Sequence, residues 1–144
     1  MRQIKFRAQY IASNKWLYGD LRHHKDDVCI FEREGYKGKQ VKRDTVGQYT
    51  GLHDRKDQEI YEGDILFVEF DDKSGGNQLV GWNEEMASWG AMNAYDYQTL
   101  NGGDDWPEFK NYTLLVYLKR AIICEVVGNI HDNPELMNVP NKKE

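Results

Sequence analysis

The chain has 144 residues with 40% hydrophobic and 30% charged side chains and only 3 prolines, the composition of a folded protein and not of a disordered or linker segment. Its length is that of one ordinary domain, since single cores run to about 100–200 residues, and about 68–70% of the unfolded surface can be buried without a disulfide or metal staple. A formal net charge of −5 is the wrong sign for non-specific attraction to a phosphate backbone. The average hides an asymmetry: residues 1–56 carry 13 basic and 7 acidic side chains, residues 57–144 carry 6 and 17. Such a dipole can orient head-to-tail self-association or steer an anionic partner to the basic half; the plainer reading is that the charges pair locally.

The segment from Met1 to Arg7 is basic, but no apolar run of signal-peptide length follows it, so export is not expected. No stretch approaches the roughly 18 uninterrupted apolar residues of a membrane-spanning helix. Cys29 and Cys124 lie far apart in apolar, strand-like contexts, which suits small buried hydrophobes in a reducing cytoplasm. The glycosylation acceptor pattern at Asn111-Tyr112-Thr113 has no consequence without a secretory route.

Short strands punctuated by turns dominate the chain. Ile4 to Ala8 alternates apolar and basic residues, and Lys15 to Leu21 follows the turn pair Ser13-Asn14, which predicts a hairpin. Val28 to Phe31 reads as a buried strand, and Gly38 to Val41 and Val46 to Thr50 as two shorter ones. A polar loop, His53 to Gln58, leads through Glu59 to Asp64 into Ile65 to Phe70, the best strand in the sequence. After the turn-rich Asp71 to Asn77, Gln78 to Trp82 returns as its hairpin partner. Residues 83–109 read less clearly, with one strand over Ala87 to Asn93; Tyr112 to Leu118 is a strand or a short helix, and Ile122 to Gly128 a strand. Asp132-Asn133-Pro134-Glu135 has the anatomy of a helix start, with Asn to cap, Pro at the first helical position and Glu in the first turn. The expectation is a single, mainly β domain over residues 1–144, built of short antiparallel strands with a small barrel over 46–130 and a minor C-terminal helix.

No catalytic, cofactor or nucleic-acid motif stands out. His53, Asp54, Asp57, Glu59, Glu62 and Asp64 crowd carboxylates together, but their spacing fits neither a calcium loop nor a paired-ligand motif, and Gly63-Asp64 is the composition of a turn. His23, His24, His53 and His131 have no zinc-ligand spacing, so no metal is expected. His131-Asp132 has no serine in a nucleophile elbow to act on, and the glycines lack the Lys-Ser/Thr ending of a phosphate loop, so no cofactor is expected. Trp82, Trp89, Tyr95, Tyr97, Trp106 and Phe109 crowd into one stretch, as stacking platforms for single-stranded nucleic acid do. The same stretch holds six carboxylates against Lys110, which directs those rings to core packing or protein contact.

Three segments together resemble the YopX family of phage and prophage proteins. Ile4-Lys5-Phe6-Arg7-Ala8 with Trp16-Leu17-Tyr18-Gly19-Asp20-Leu21 is similar to that family's start. Val46 to Leu52, continuing through Glu59-Ile60-Tyr61-Glu62-Gly63-Asp64-Ile65, resembles its central stretch, and Glu125-Val126-Val127-Gly128-Asn129-Ile130-His131-Asp132-Asn133-Pro134-Glu135-Leu136 its C-terminal signature. The resemblance implies a predominantly β, phage- or prophage-encoded protein in the cytoplasm of the bacterial host, and brings no catalytic residues with it. Its polar and aromatic residues Gln48, Tyr49, Thr50, Asp54, Tyr61, Glu62 and Asp64 either build turns or converge on one binding surface. The functional expectation is a non-catalytic module that binds a host or phage protein or assembles with itself. A nucleic-acid module using Arg2, Lys5, Arg7, Lys39, Lys42 and Arg43 comes second and is disfavoured by net charge, and a small hydrolase using the carboxylates of residues 54–64 comes third.

Overall fold

The computed structural model describes residues 1–35, 37–100 and 113–139, and the backbone clusters into two compact units, residues 1–52 and 53–144. Trp106, Phe109 and the first residue of the segment read from Tyr112 lie outside the described residues.

The first unit is an antiparallel sheet. Its strands are β1 (Phe6–Gln9), β2 (Trp16–His24), β3 (Asp27–Phe31), β4 (Lys39–Gln40) and β5 (Gly47–His53), the last running to the unit boundary, in the order β4-β3-β2-β1-β5. The predicted hairpin is β1 against β2, with Phe6 opposite Gly19 and Gln9 opposite Trp16. Period-2 alternation directs one face inward: Ala8, Leu17, Val28, Ile30 and Val41 form the core, and Phe6, Tyr10, Leu21 and Val46 pack against it. The 3₁₀ turn at Arg43–Thr45 leads into β5 and presents the Thr45 hydroxyl to the backbone N–H of Gln9, 2.9 Å away.

The second unit begins with β6 (Glu59–Tyr61), which turns into β7 (Asp64–Glu69). β7 joins β8 (Gly75–Asn83), β9 (Ser88–Asn93) and β10 (Ile123–Asn129) in an antiparallel sheet of order β10-β7-β8-β9. The β7–β8 hairpin expected from the apolar run and its turn is present, with Ile65 opposite Leu79. Two short helices, α1 (Ala94–Leu100) and α2 (Leu114–Arg120), pack on the sheet, α1 against β8 and β9 and α2 against β9. Ile65, Leu79, Met92 and Met137 make a core that Ala94, Tyr97, Ile130 and Leu136 border. The segment open to either reading is therefore helical at α2, and the C-terminal helix start is a 3₁₀ turn, Pro134–Met137, with Pro in its first positions.

The architecture is mainly β, as expected, but no closed barrel is found among the described residues. Closure needs the end strands β9 and β10 to pair, and the open edges of both are occupied otherwise. On β10, the Val126 N–H donates to the Asp54 carboxylate at 2.9 Å and the Cys124 carbonyl accepts from the Arg55 N–H at 3.2 Å. On β9, Gly90 bridges to Thr113, just ahead of α2. These contacts take up part of each edge, and β9 and β10 stay at opposite ends of the open order β10-β7-β8-β9. No helix among the described residues is long and apolar enough to cross a membrane.

Candidate functional site

The seven predicted residues fall in both units. Gln48, Tyr49 and Thr50 sit on β5 of the first; Asp54, Tyr61, Glu62 and Asp64 belong to the second. In the first unit Gln48 is half-buried opposite Phe6, while Tyr49 is buried and donates its N–H to the Lys5 carbonyl at 2.9 Å. The Lys5 ammonium lies 5.0 Å from the centre of the Tyr49 ring. Thr50 is buried too, and its hydroxyl accepts from the Leu52 N–H at 3.1 Å.

In the second unit Asp54 is 7% exposed, and both its carboxylate oxygens receive backbone donors. Oδ1 accepts from Lys56 N–H (2.8 Å) and Gln58 N–H (2.9 Å), and Oδ2 from Val126 N–H. This side chain closes the loop 54–58 and fastens it to β10. Its neighbour Arg55 continues the fastening: the guanidinium donates to the carbonyls of Leu118, at 3.4 Å, and Ala121, at the C-terminal end of α2, where a cation is favoured.

Asp64, 1% exposed, accepts from the Tyr61 N–H at 2.7 Å, and so closes the turn between β6 and β7. Gly63 adopts φ +88° in that turn, a conformation that costs a side-chain-bearing residue strain. The turn is tied on both sides, the Gly63 N–H donating to Val80 O and its carbonyl accepting from Ile130 N–H, each at 2.9 Å. Tyr61 is buried, with its hydroxyl donating to Glu59 Oε2 at 2.9 Å. Burial raises the Glu62 carboxyl above its ordinary value by penalising the charged form.

Opposite this turn lies the C-terminal segment, because β7 and β10 are antiparallel neighbours with Asp64 opposite Asn129 and a bulge between Val126 and Gly128. The Asn129 Oδ1 accepts from the N–H groups of His131 (3.0 Å) and Asp132 (2.9 Å), and Asn133 Oδ1 accepts from Asn129 N–H at 3.3 Å. The His131 ring lies beside the β6–β7 turn, 3.7 Å from where a Cβ on Gly63 would stand. The central and closing segments singled out in the sequence thus form one hydrogen-bonded assembly of turns. Arg55, Asn129 and Asn133 carry much of it and were not singled out as site residues; Asn129 and Asn133 stand inside the closing segment and Arg55 in the polar loop of residues 53–58 within the central one. Among the described residues no group of three or more His, Cys, Asp and Glu side chains is placed to hold a metal ion.

A second surface lies on the β8–β9 hairpin. Trp82 is opposite Trp89, with ring centroids 5.0 Å apart and planes at 76°, the edge-to-face geometry aromatic quadrupoles favour. Trp82 is 36% exposed and Met86, in the connecting turn, 57% exposed, beside the exposed carboxylates Glu84 and Glu85. The turn is held by Asn83, whose Oδ1 accepts from the Met86 N–H at 3.0 Å.

Five of the six basic residues proposed for nucleic acid, all but the exposed Arg2, make contacts within the first unit. Lys39 pairs with Glu32 at 3.1 Å, Lys42 donates to Asn14 Oδ1 at 2.6 Å and Arg43 to the Asp26 carbonyl at 2.6 Å. Arg7 is buried over the Trp16 ring, 4.7 Å from its centre.

Two antiparallel sheets, each with its own core, and motif segments that build turns define a mainly β protein. The YopX protein family model matches residues 5–138, and the chain belongs to that family. A crystal structure of protein EF1440 from Enterococcus faecalis is similar over 96% of this chain and 100% of that one, with TM-score 0.51 and 20% sequence identity, a likeness of fold alone. Comparison with curated proteins found no match.

Proposed function

We propose that this YopX-family chain is a phage- or prophage-encoded, cytoplasmic β module that works through protein contact or self-assembly and performs no catalysis. The observation that carries the reading is the Trp82–Trp89 pair, which with Met86 sets large apolar side chains in water on a hairpin tip. Aromatic and methionine side chains are enriched at the centres of protein interfaces, where rigid rings lose little entropy on binding. Support also comes from Asp54 and Asp64, whose carboxylates serve the backbone N–H groups of their own turns. Binding or assembly through the hairpin is tested by solution mass together with affinity capture from a bacterial lysate, comparing wild type with Met86→Ala and Trp82→Ala. A partner or second copy held by wild type and lost by both variants is the expected result. A wild-type monomer that retains nothing the variants lack overturns the reading.

A further inference from the structure

β10 is an end strand of its sheet, and its outer edge is covered by a turn and not by another strand. Alternate residues of an antiparallel strand direct their backbone groups to opposite sides, and the two that face outward at the middle of β10 are Cys124 and Val126. The Val126 N–H donates to Asp54 Oδ2 at 2.9 Å, and the Cys124 carbonyl accepts from the Arg55 N–H at 3.2 Å. Lys56 pairs with Glu125 at 3.2 Å, and the Arg55 guanidinium ties the same turn to the carbonyls of Leu118 and Ala121. The turn cannot extend the sheet. Its Asp54 N–H donates to the Gln58 carbonyl at 2.8 Å, the Asp57 N–H returns to the Asp54 carbonyl at 3.1 Å, and Asp57 has φ +64°, so residues 54–58 fold back on themselves.

The strand under this turn has the composition of one that pairs with its own kind. Ile122 to Val127 reads Ile-Ile-Cys-Glu-Val-Val, with four β-branched side chains, one charge and neither Pro nor Gly. Short segments of high β-propensity and low charge are those that pair strand to strand when an edge is open. Ile122 and Val127, 48% and 45% exposed, hold apolar side chains in water at the two ends of the covered edge. β10 carries neither the lysine nor the proline that blunt such edges, and its bulge lies beyond Val126, so the middle of the edge is protected by residues 54–58.

We propose that the β10 edge is a contact surface for a second copy of this chain, and that the turn of residues 54–58 keeps it closed. With the turn released, two β10 edges meet antiparallel, Cys124 and Val126 of each supplying the donors and acceptors. The contact uses the same patch from both copies and closes as a dimer. A register that pairs Cys124 or Val126 with itself sets each Glu125 opposite Ile123 or Val127 of the other copy, so the like charges do not face each other. This surface is separate from the Trp82–Met86 hairpin tip, and the inference goes beyond the hairpin contact without depending on it.

Opening the edge by substitution tests the proposal. Asp54→Ala removes the acceptor that holds the turn to Val126, and Asp54→Asn keeps its shape while replacing one acceptor oxygen with a donor, which carries the comparison if the alanine variant does not fold. Val127→Lys places a charge on the exposed end of the edge. Leu79→Ala weakens the core of the same unit and leaves the turn intact. Solution mass is read at equal concentrations where far-UV circular dichroism shows each variant folded. The Asp54 variants are expected to dimerise at least about tenfold more tightly than wild type. Adding Val127→Lys should return them to the wild-type mass, and Leu79→Ala alone should keep it. The same opening in a Met86→Ala background should still produce the dimer, which separates this contact from one made by the hairpin. Folded Asp54 variants with the wild-type mass, equal dimerisation by Leu79→Ala, dimers that survive Val127→Lys, or dimers lost with Met86→Ala would each overturn the inference.

Discussion

Asp54 shows how a residue that reads as chemistry in the sequence serves as structure in the fold. Three backbone N–H groups point at its carboxylate, at 2.8, 2.9 and 2.9 Å. Asp54→Ala removes the acceptor and leaves those donors unmet, and a buried unsatisfied group costs about 1–3 kcal/mol. A loss of about 2–4 kcal/mol is expected in urea unfolding; a loss within about 0.5 kcal/mol, the range of ordinary surface changes, would show that the carboxylate does not hold the loop. Glu62 is governed by burial instead. Its carboxyl is raised above 4.5 in the folded state, so the fold binds a proton more readily than the unfolded chain does, and stability falls as pH rises through and above that value. Glu62→Gln is therefore expected to be more stable than wild type at pH 7, with the difference vanishing as pH drops below about 4.5; equal stability at both pH values would refute the assignment to burial. Cys124 has the same sign at the other end of the scale. Burial first, then Asp54, push its thiol up to about 11 from 9.0, so its contribution to stability declines from about pH 9 to about pH 11, and Cys124→Ala should flatten that decline. The segment containing these carboxylates was legible, because turns and sites draw on the same residue types. The roles were not, since the Val126 donor to Asp54 lies 72 residues away along the chain.

At the scale of elements, the bulge in β10 sets how closely the last turn returns to the sheet. A Cβ on Gly128 would stand 2.5 Å from Asn133 Oδ1 and 3.0 Å from Leu136 Cδ1, below any ordinary contact distance. Gly128→Ala must displace the Asn133 side chain and its bond to the Asn129 N–H, at a cost of about 1–3 kcal/mol for overpacking. The double variant Gly128→Ala with Asn133→Ala is expected to lose less than the sum of the two single losses, because the second change removes the obstacle the first one meets; strict additivity in urea unfolding would locate the cost of the glycine elsewhere. The strands were legible wherever alternation met a turn signal, as in β1 to β3 and in β7 to β8. Helix α1 was not, since Ala94 to Leu100 includes Tyr, Asp and Thr, which have weak helix propensity. Its signal was the spacing of Asn93 and Asp96: the Asn93 Oδ1 accepts the Asp96 N–H at 2.8 Å, a side-chain cap, and its Nδ2 donates to the Asp96 carboxylate at 3.0 Å. The barrel expectation failed for a related reason. Alternation reveals which strands exist, while the fate of a sheet edge depends on distant groups such as Asp54 and Thr113.

At the scale of the whole molecule, the division into two units was invisible in the sequence because it falls at Leu52 and His53, inside the strand β5 and not in a Gly, Pro or Ser linker. What separates the units is the location of their apolar residues. The first buries Ala8, Leu17, Val28, Ile30 and Val41 together, and the second buries Ile65, Leu79, Met92 and Met137. Separate cores predict separate cooperative openings, since amide protection follows the buried contacts that must break for exchange. Ile30→Ala removes a fully buried side chain from the first core at a cost of about 2–5 kcal/mol. Native-state hydrogen exchange should then show the amides of β1 to β3 losing protection by that amount while those of β7 and β8 keep most of theirs. Leu79→Ala, also fully buried, should produce the reverse pattern. If either substitution lowered protection equally throughout the chain, the two cores would belong to one cooperative structure, and the division of charge between the units would have no counterpart in how they unfold.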